Sequence, residues 1–260
     1  MTLLFGATLI VLSFGGAFIS GLLGVGGAIV MIPLLFYVPP LLSVGQLDIK
    51  TVAAVTMVQV FAASLMGAWG HSRQAMVHRK LALVGGGTMA LGSLLGAVGS
   101  KFVEGRVLLS VFAVMTTVAL PLMFLPPPVV DDSDPRRVTF SLAGAALYPG
   151  VIGGMAGLVG AGGAFLLMPV LTGFLHIPMR LAIGTSLAIT TVSAFTGFIG
   201  KLVTAQIPFW PALTVLVGAL AGSQVGVRVS HRAGVQMLRR LLAGIIGLTA
   251  LRVWVDVLFP

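Results

Sequence analysis

The sequence predicts an all-α, polytopic membrane protein made of two related halves. Three observations carry that expectation. Hydrophobic residues fill 58% of the 260 positions, and Asp, Glu, Lys and Arg only 8%; a soluble domain carries roughly 25% charged residues. Mean hydropathy is +1.12, and several apolar runs reach the roughly 20 residues that cross a bilayer core. One glycine-rich stretch occurs twice, as Gly21–Leu35 and Gly157–Leu171, with four glycines at the same spacing, an apolar run and a proline. The runs are continuously apolar, without the ~10-residue alternation of a barrel strand.

Leu3 to about Phe36 is the first apolar stretch. As one helix it would run ~50 Å, longer than the ~30 Å core, so it must bend or break. The break is expected at Gly21–Gly27, where glycine favours neither regular helix nor strand. A spanning segment precedes it and a short helix follows, ending at Pro39-Pro40. The opening Met-Thr-Leu-Leu-Phe has no basic region, so the stretch reads as a first membrane segment and not a cleaved signal. Further spans are expected at Thr51–Gly70, Leu81–Gly99 and Val107–Leu125, with Pro121 kinking the end of the last. Residues 126–137 hold three of the six acids and four of the 14 prolines; they read as a solvated linker. The second half repeats the plan from Val138 to about Phe174, then Leu181–Ile199, Phe209–Val227 and Leu241–Val253. The expected organisation is a membrane repeat at 1–125, the linker, and a second repeat at 138–260, with about eight spans of four helices per half.

The repeat extends beyond the glycines. Thr56 lines up with Thr185, Ser64 with Ser193, and Gly92-x-x-x-Gly96 with Gly218-x-x-x-Gly222; such spacings let helices approach closely. Internal duplication is common in transporters. Eight simple spans would divide the cations almost evenly between the two sides. An odd number of crossings per half would invert the halves and place the basic His71–Lys80 loop with the Arg228–Arg240 cluster, a clearer cytoplasmic bias. The inverted repeat is therefore favoured, with one glycine segment per half partly re-entrant.

The net charge of +9 comes from cations at the ends of apolar runs, where they set topology and meet lipid headgroups; no nucleic-acid partner is indicated. The chain has no cysteine, which excludes disulfides and thiolate metal sites. No metal or cofactor is expected. Irregular backbone at membrane depth is tolerated where it is buried in protein or lines a wet cavity. The helices after the two breaks would start near Gly26-Gly27 and Gly162-Gly163, presenting unpaired N–H groups and a positive dipole end suited to an oxyanion. The alternative is that the glycines serve packing alone.

The candidate substrate-binding residues are Gly24, Gly26, Gly27, Thr56, Gln59, Gly160, Gly162, Gly163, Thr185 and Ser186. Thr56 and Gln59, three apart, share a helix face. The hydroxyls can donate to an anion or bond to nearby backbone instead. Thr190, Ser193 and Gln224 are further polar positions within spans. Every acid falls in a loop or at a span end, so the intramembrane carboxylate relay usual in proton-coupled carriers is missing. The four histidines also read as interfacial. Lys201 and Arg180 flank a span, either as snorkelling anchors or as charges that draw anions to a vestibule. No Walker loop, His-Glu-x-x-His, Gly-x-Ser-x-Gly or deep carboxylate pair is present, so the protein is not expected to be an enzyme.

The pieces Gly21–Leu35, Ala53–Ser64, Gly157–Leu171 and Ala182–Ser193, the last containing Gly184-Thr185-Ser186-Leu187-Ala188, resemble the TauE/SafE sulfite exporter family over nearly the whole chain. The first half departs at Val55-Thr56-Met57, where the second has Gly184-Thr185-Ser186, so the halves are not expected to act equally. The resemblance implies a multi-pass permease of the cytoplasmic (inner) membrane that exports sulfite, sulfoacetate or other sulfonates. Its partners would be a small anion and membrane lipid; a homodimer is compatible with it. An anion channel of the same architecture is the alternative, and an intramembrane enzyme a remote one.

Overall fold

A computed structural model describes residues 3–72, 77–122, 140–230 and 234–258. Within them all regular structure is helical, joined by turns and short loops. The first half holds α1 (Leu3–Leu23), α2 (Ala28–Leu41), α3 (Ile49–Ser72), α4 (Arg79–Gly99) with a short 3-10 turn at Ser100–Phe102, and α5 (Gly105–Leu122). The second holds α6 (Leu142–Val159), α7 (Ala164–Gly173), α8 (Met179–Val203), α9 (Phe209–Ser230) and α10 (Val235–Leu258). The expected linker at 126–137 lies outside the described residues. Seven described helices, α1, α3, α4, α5, α6, α8 and α9, are long and apolar enough to cross a bilayer. α10 is 24 residues long, but it carries Arg239, Arg240, Arg252 and Asp256.

Each half opens with a broken helix, and the break has a local cause. Gly24, Gly26 and Gly27 take φ of 73°, 72° and 78°; Gly160, Gly162 and Gly163 take 77°, 61° and 79°. That left-handed backbone costs a residue with a β-carbon roughly 1–2 kcal/mol. After it the chain reverses. A β-carbon on Gly27 would stand 2.7 Å from the Gly16 carbonyl, and one on Gly16 would stand 3.2 Å from Met31 Sδ. Gly45, beyond α2, lies against the Phe5 ring at the start of α1. The α1–α2 pair is thus an antiparallel hairpin with glycines at its tip. The α6–α7 pair repeats it: Gly163 lies against Ile152 and Ala156, and Phe174 stacks on Tyr148 with ring centroids 5.5 Å apart.

The two halves interlock. α1 packs chiefly along α9 and α4 along α6. A β-carbon on Gly218, Gly222 or Gly226 would land on the carbonyl of Ile10, Phe14 or Phe18, and one on Gly153 or Gly157 on that of Met89 or Ser93. These rising pairs show that the helices in each seam run parallel, backbone to backbone, as small residues allow. At the centre α3 and α8 cross antiparallel: Gly67 meets Leu187, and Phe61 meets Phe195. Both are the most enclosed spans. Large apolar side chains such as Leu83, Leu91, Leu95, Leu248 and Leu251 point outward, as a lipid-facing surface requires.

Candidate site at the crossing of the two broken helices

The two hairpin tips meet near the middle of α3 and α8. A β-carbon on Gly26 would stand 3.1 Å from Ala164 Cβ, 3.3 Å from Val60 Cγ1 and 3.5 Å from Thr190 Cγ2. One on Gly162 would meet the same Val60 and Thr190 side chains. Val60 and Thr190 sit halfway along α3 and α8. The starts of α2 and α7 are therefore neighbours, framed by the two central helices.

Those starts are chemically open. The Gly27 carbonyl accepts from the Val30 and Met31 N–H groups, and the Gly163 carbonyl from those of Leu166 and Leu167. The N–H groups of Gly26, Gly27, Ala28 and Ile29 donate to no group of the described chain, and neither do those of Gly162, Gly163, Ala164 and Phe165. Two positive dipole ends converge on one buried region. The described acids Asp48 and Glu104 are exposed, and Asp256 lies near the end of α10. No cluster able to hold a metal ion occurs among the described residues.

All ten candidate positions are buried, but they fall into two groups. Thr56 and Gln59 have no exposed surface, and Thr56 Oγ1, Gln59 Oε1 and Gln59 Nε2 have no hydrogen-bond partner. Gln59 Nε2 would lie 2.7 Å from a β-carbon on Gly27, and Ser20 Cβ 3.1 Å from it. Ser20, absent from the sequence-derived set, adds another unpartnered hydroxyl; its place immediately before Gly21 is the signal that could have found it. The other group is engaged. Thr185 Oγ1 accepts from the His78 N–H at 3.0 Å, and Ser186 Oγ donates to the Gly24 carbonyl at 2.8 Å. The repeat mates Thr56 and Thr185 lie on opposite sides of the crossing, because α3 and α8 run antiparallel. Burial also holds the His78 imidazole below its ordinary pKa, with Lys80 adding repulsion; its neutral Nδ1 accepts from the Leu81 N–H and caps α4.

The two tips differ in polarity. Gly27 faces Gln59 and Ser20, whereas Gly163 faces Met89, Ile152 and Ala156. Gln224 is exposed and reaches Met66 Sδ at 3.8 Å, away from the tips. A cleft of about 850 Å³ lies elsewhere, between α2 and α10, lined by Pro33, Leu34, Tyr37, Leu248 and Arg252 among others. Arg252 there is paired with Asp256 at 3.4 Å and lies 4.5 Å above the Tyr37 ring. That apolar wall offers little to a small, hydrated anion.

The model of the family described as "Sulfite exporter TauE/SafE" matches residues 9–253. The chain is 27% identical to the probable membrane transporter protein YdhB of Bacillus subtilis, over 82% of this chain and 85% of that protein. It is 29% identical to a probable membrane transporter protein of Xylella fastidiosa (strain Temecula1), over 93% and 90%. A probable membrane transporter protein of Methanocaldococcus jannaschii is 20% identical over 94% and 93%. No solved structure matches. The glycine-broken helices, the multi-pass helical membrane fold and the family match over nearly the full length agree: this chain belongs to the TauE/SafE sulfite exporter family.

Proposed function

We propose that the protein is a secondary permease that exports small organosulfur anions, sulfite or sulfonates such as sulfoacetate, across the inner membrane. The observation that carries this reading is the convergence of two helix starts with unpaired N–H groups beside the unpartnered Thr56 and Gln59. An oxyanion satisfies such donors without a fixed counter-charge. Gly24, Gly26, Gly27, Gly160, Gly162 and Gly163 bring the backbone close enough to contact it. Ser186 acts by holding the Gly24 tip, and Thr185 by holding the His78 backbone at the start of α4.

The antiparallel crossing of the repeat mates α3 and α8, and the parallel seams α1–α9 and α4–α6, support an inverted repeat of residues 1–125 and 138–260. Inverted halves can exchange conformations and so open a central site to either side in turn. Every candidate position is buried, which suits an occluded state better than an open channel.

Proteoliposomes loaded with sulfite are expected to release it with saturable kinetics, and Gly26→Leu or Gly162→Leu to abolish release. Absence of saturable sulfite or sulfoacetate flux from the wild-type protein would overturn the reading. Unitary currents in planar bilayers would replace the carrier by a channel.

A further inference from the structure

Lys201 has no exposed surface. It lies two residues from the end of α8, where a lysine ordinarily snorkels to the headgroups. Here its ammonium turns inward, donating to Ser100 Oγ at 2.9 Å and lying 3.5 Å from Gln206 Oε1. No described carboxylate pairs with it, and Lys50 adds a second positive charge nearby. A buried charge without a counter-ion is costly, and an anion beside it would offset that cost.

Hydroxyls line part of the way from Lys201 to the crossing. Thr190, Ser193, Gly197 and Lys201 follow one another at spacings of three, four and four along α8, which places them on one face. Thr190 Oγ1 and Ser193 Oγ have no hydrogen-bond partner, although both residues are fully buried. Such hydroxyls usually bond to their own helix. Across from them on α4, Ser93 Oγ is likewise buried and unpartnered, and would lie 2.6 Å from a β-carbon on Gly197. The Thr190 methyl stands against both hairpin tips, at Gly26 and Gly162. Three orphaned hydroxyls thus lie between the tips and the Lys201 ammonium, with the flexible Met57 side chain also against Gly197.

The repeat does not reproduce this path. The register that aligns Thr56 with Thr185 sets Phe61, Ser64, Ala68 and Ser72 against Thr190, Ser193, Gly197 and Lys201. Ser64 Oγ donates to the Phe61 carbonyl at 3.2 Å, and Phe61 is packed against Phe195 and Phe198. The corresponding face of α3 is plugged and carries no cation.

We propose that α8 and α4 form a one-sided anion path, from the crossing to a relay site at Lys201, at the end of the bundle that holds Lys50 and Lys101. Its ligand is a small oxyanion such as sulfite or a sulfonate. The anion is held by the Lys201 ammonium after passing Thr190, Ser193 and Ser93, and then leaves at that end. This rests on the anion-permease reading above, but its test does not require flux.

The chain has no cysteine, so Ser193→Cys and Ser93→Cys each introduce a single thiol at minimal change of volume. The anionic reagent 2-sulfonatoethyl methanethiosulfonate and its trimethylammonium counterpart are compared from each side of the membrane. The sulfonate reagent is expected to label both thiols at least tenfold faster than the cation, and only from the Lys201 end. Adding Lys201→Gln should erase that preference, and adding Lys201→Arg should keep it. Ser64→Cys on α3 should remain unlabelled. Equal rates for the two reagents, labelling from both ends, or no labelling in a protein that still elutes as one species would each overturn the path. Normal sulfite flux with charge-blind labelling removes the path alone; selective labelling without sulfite or sulfonate flux removes the export reading alone.

Discussion

Gln59 shows how a single residue separates stability from function. Its amide is wholly buried and both polar atoms lack partners. Each such group costs about 1–3 kcal/mol relative to a satisfied one. Leucine at this position would remove two orphaned groups at similar size. Gln59→Leu is therefore expected to leave the thermal unfolding midpoint in detergent unchanged or raised, while sulfite flux falls at least about tenfold, near 1.4 kcal/mol in transition-state terms. A lower midpoint together with normal flux would make Gln59 a structural residue. Strain and unmet bonding retained at a cost to stability are characteristic of functional sites. Ser186 is the contrast: its hydroxyl is spent on the Gly24 carbonyl and holds the tip.

At the scale of the element, the glycines do two different jobs that identical chemistry can tell apart. Gly153 in α6 lies where a β-carbon would land on the Met89 carbonyl of α4; Gly87 in α4 has nothing within 4 Å. Gly153→Ala should destabilise by about 1–3 kcal/mol through overpacking, and Gly87→Ala should stabilise by about 0.5–1 kcal/mol through helix propensity. Thermal melts of the two variants check both signs, and equal shifts would refute the seam. Breaks at Gly21–Gly27 and Gly157–Gly163 were legible because glycine favours neither helix nor strand; the structure confines them to Gly24–Gly27 and Gly160–Gly163, while Gly21 and Gly157 stay helical and pack in the seams. The hairpin reversal and the partners of the seams were not legible. A small residue every fourth position permits close approach without naming the helix that approaches. Burial of Lys201 was equally hidden, since its partners Ser100 and Gln206 come from the end of α4 and the loop after α8. The lone hydroxyl at Ser93 gave no sign that the fold would leave it unpaired.

For the whole molecule, the antiparallel course of the repeat mates gives the positive-inside rule something to act on. α3 and α9 run parallel, as the contacts of Ser223 with Ala63 and of Val227 with Gly70 require. The segments that join α3 to α4 and α9 to α10 leave from the same end, and their sequences with the flanking turns include Arg73, Arg79, Lys80, Arg228, Arg232 and Arg240. That end is proposed to face the cytoplasm. Lys80→Cys and Lys101→Cys stand at opposite ends of α4, both exposed. In intact cells an impermeant maleimide should label Lys101→Cys at once and Lys80→Cys only after permeabilisation; the reverse order would invert the protein and place the Lys201 end inside.

The seams also set a timetable. Ser13 of α1 donates to the Val215 carbonyl of α9, 202 residues later. At about 5–20 residues per second of synthesis, α1 waits roughly 10–40 seconds for that partner. Meanwhile the face that will meet α9 is covered by lipid tails or insertion machinery. The first half thus leaves the ribosome as an unfinished surface, and the last three helices complete the packing of the first.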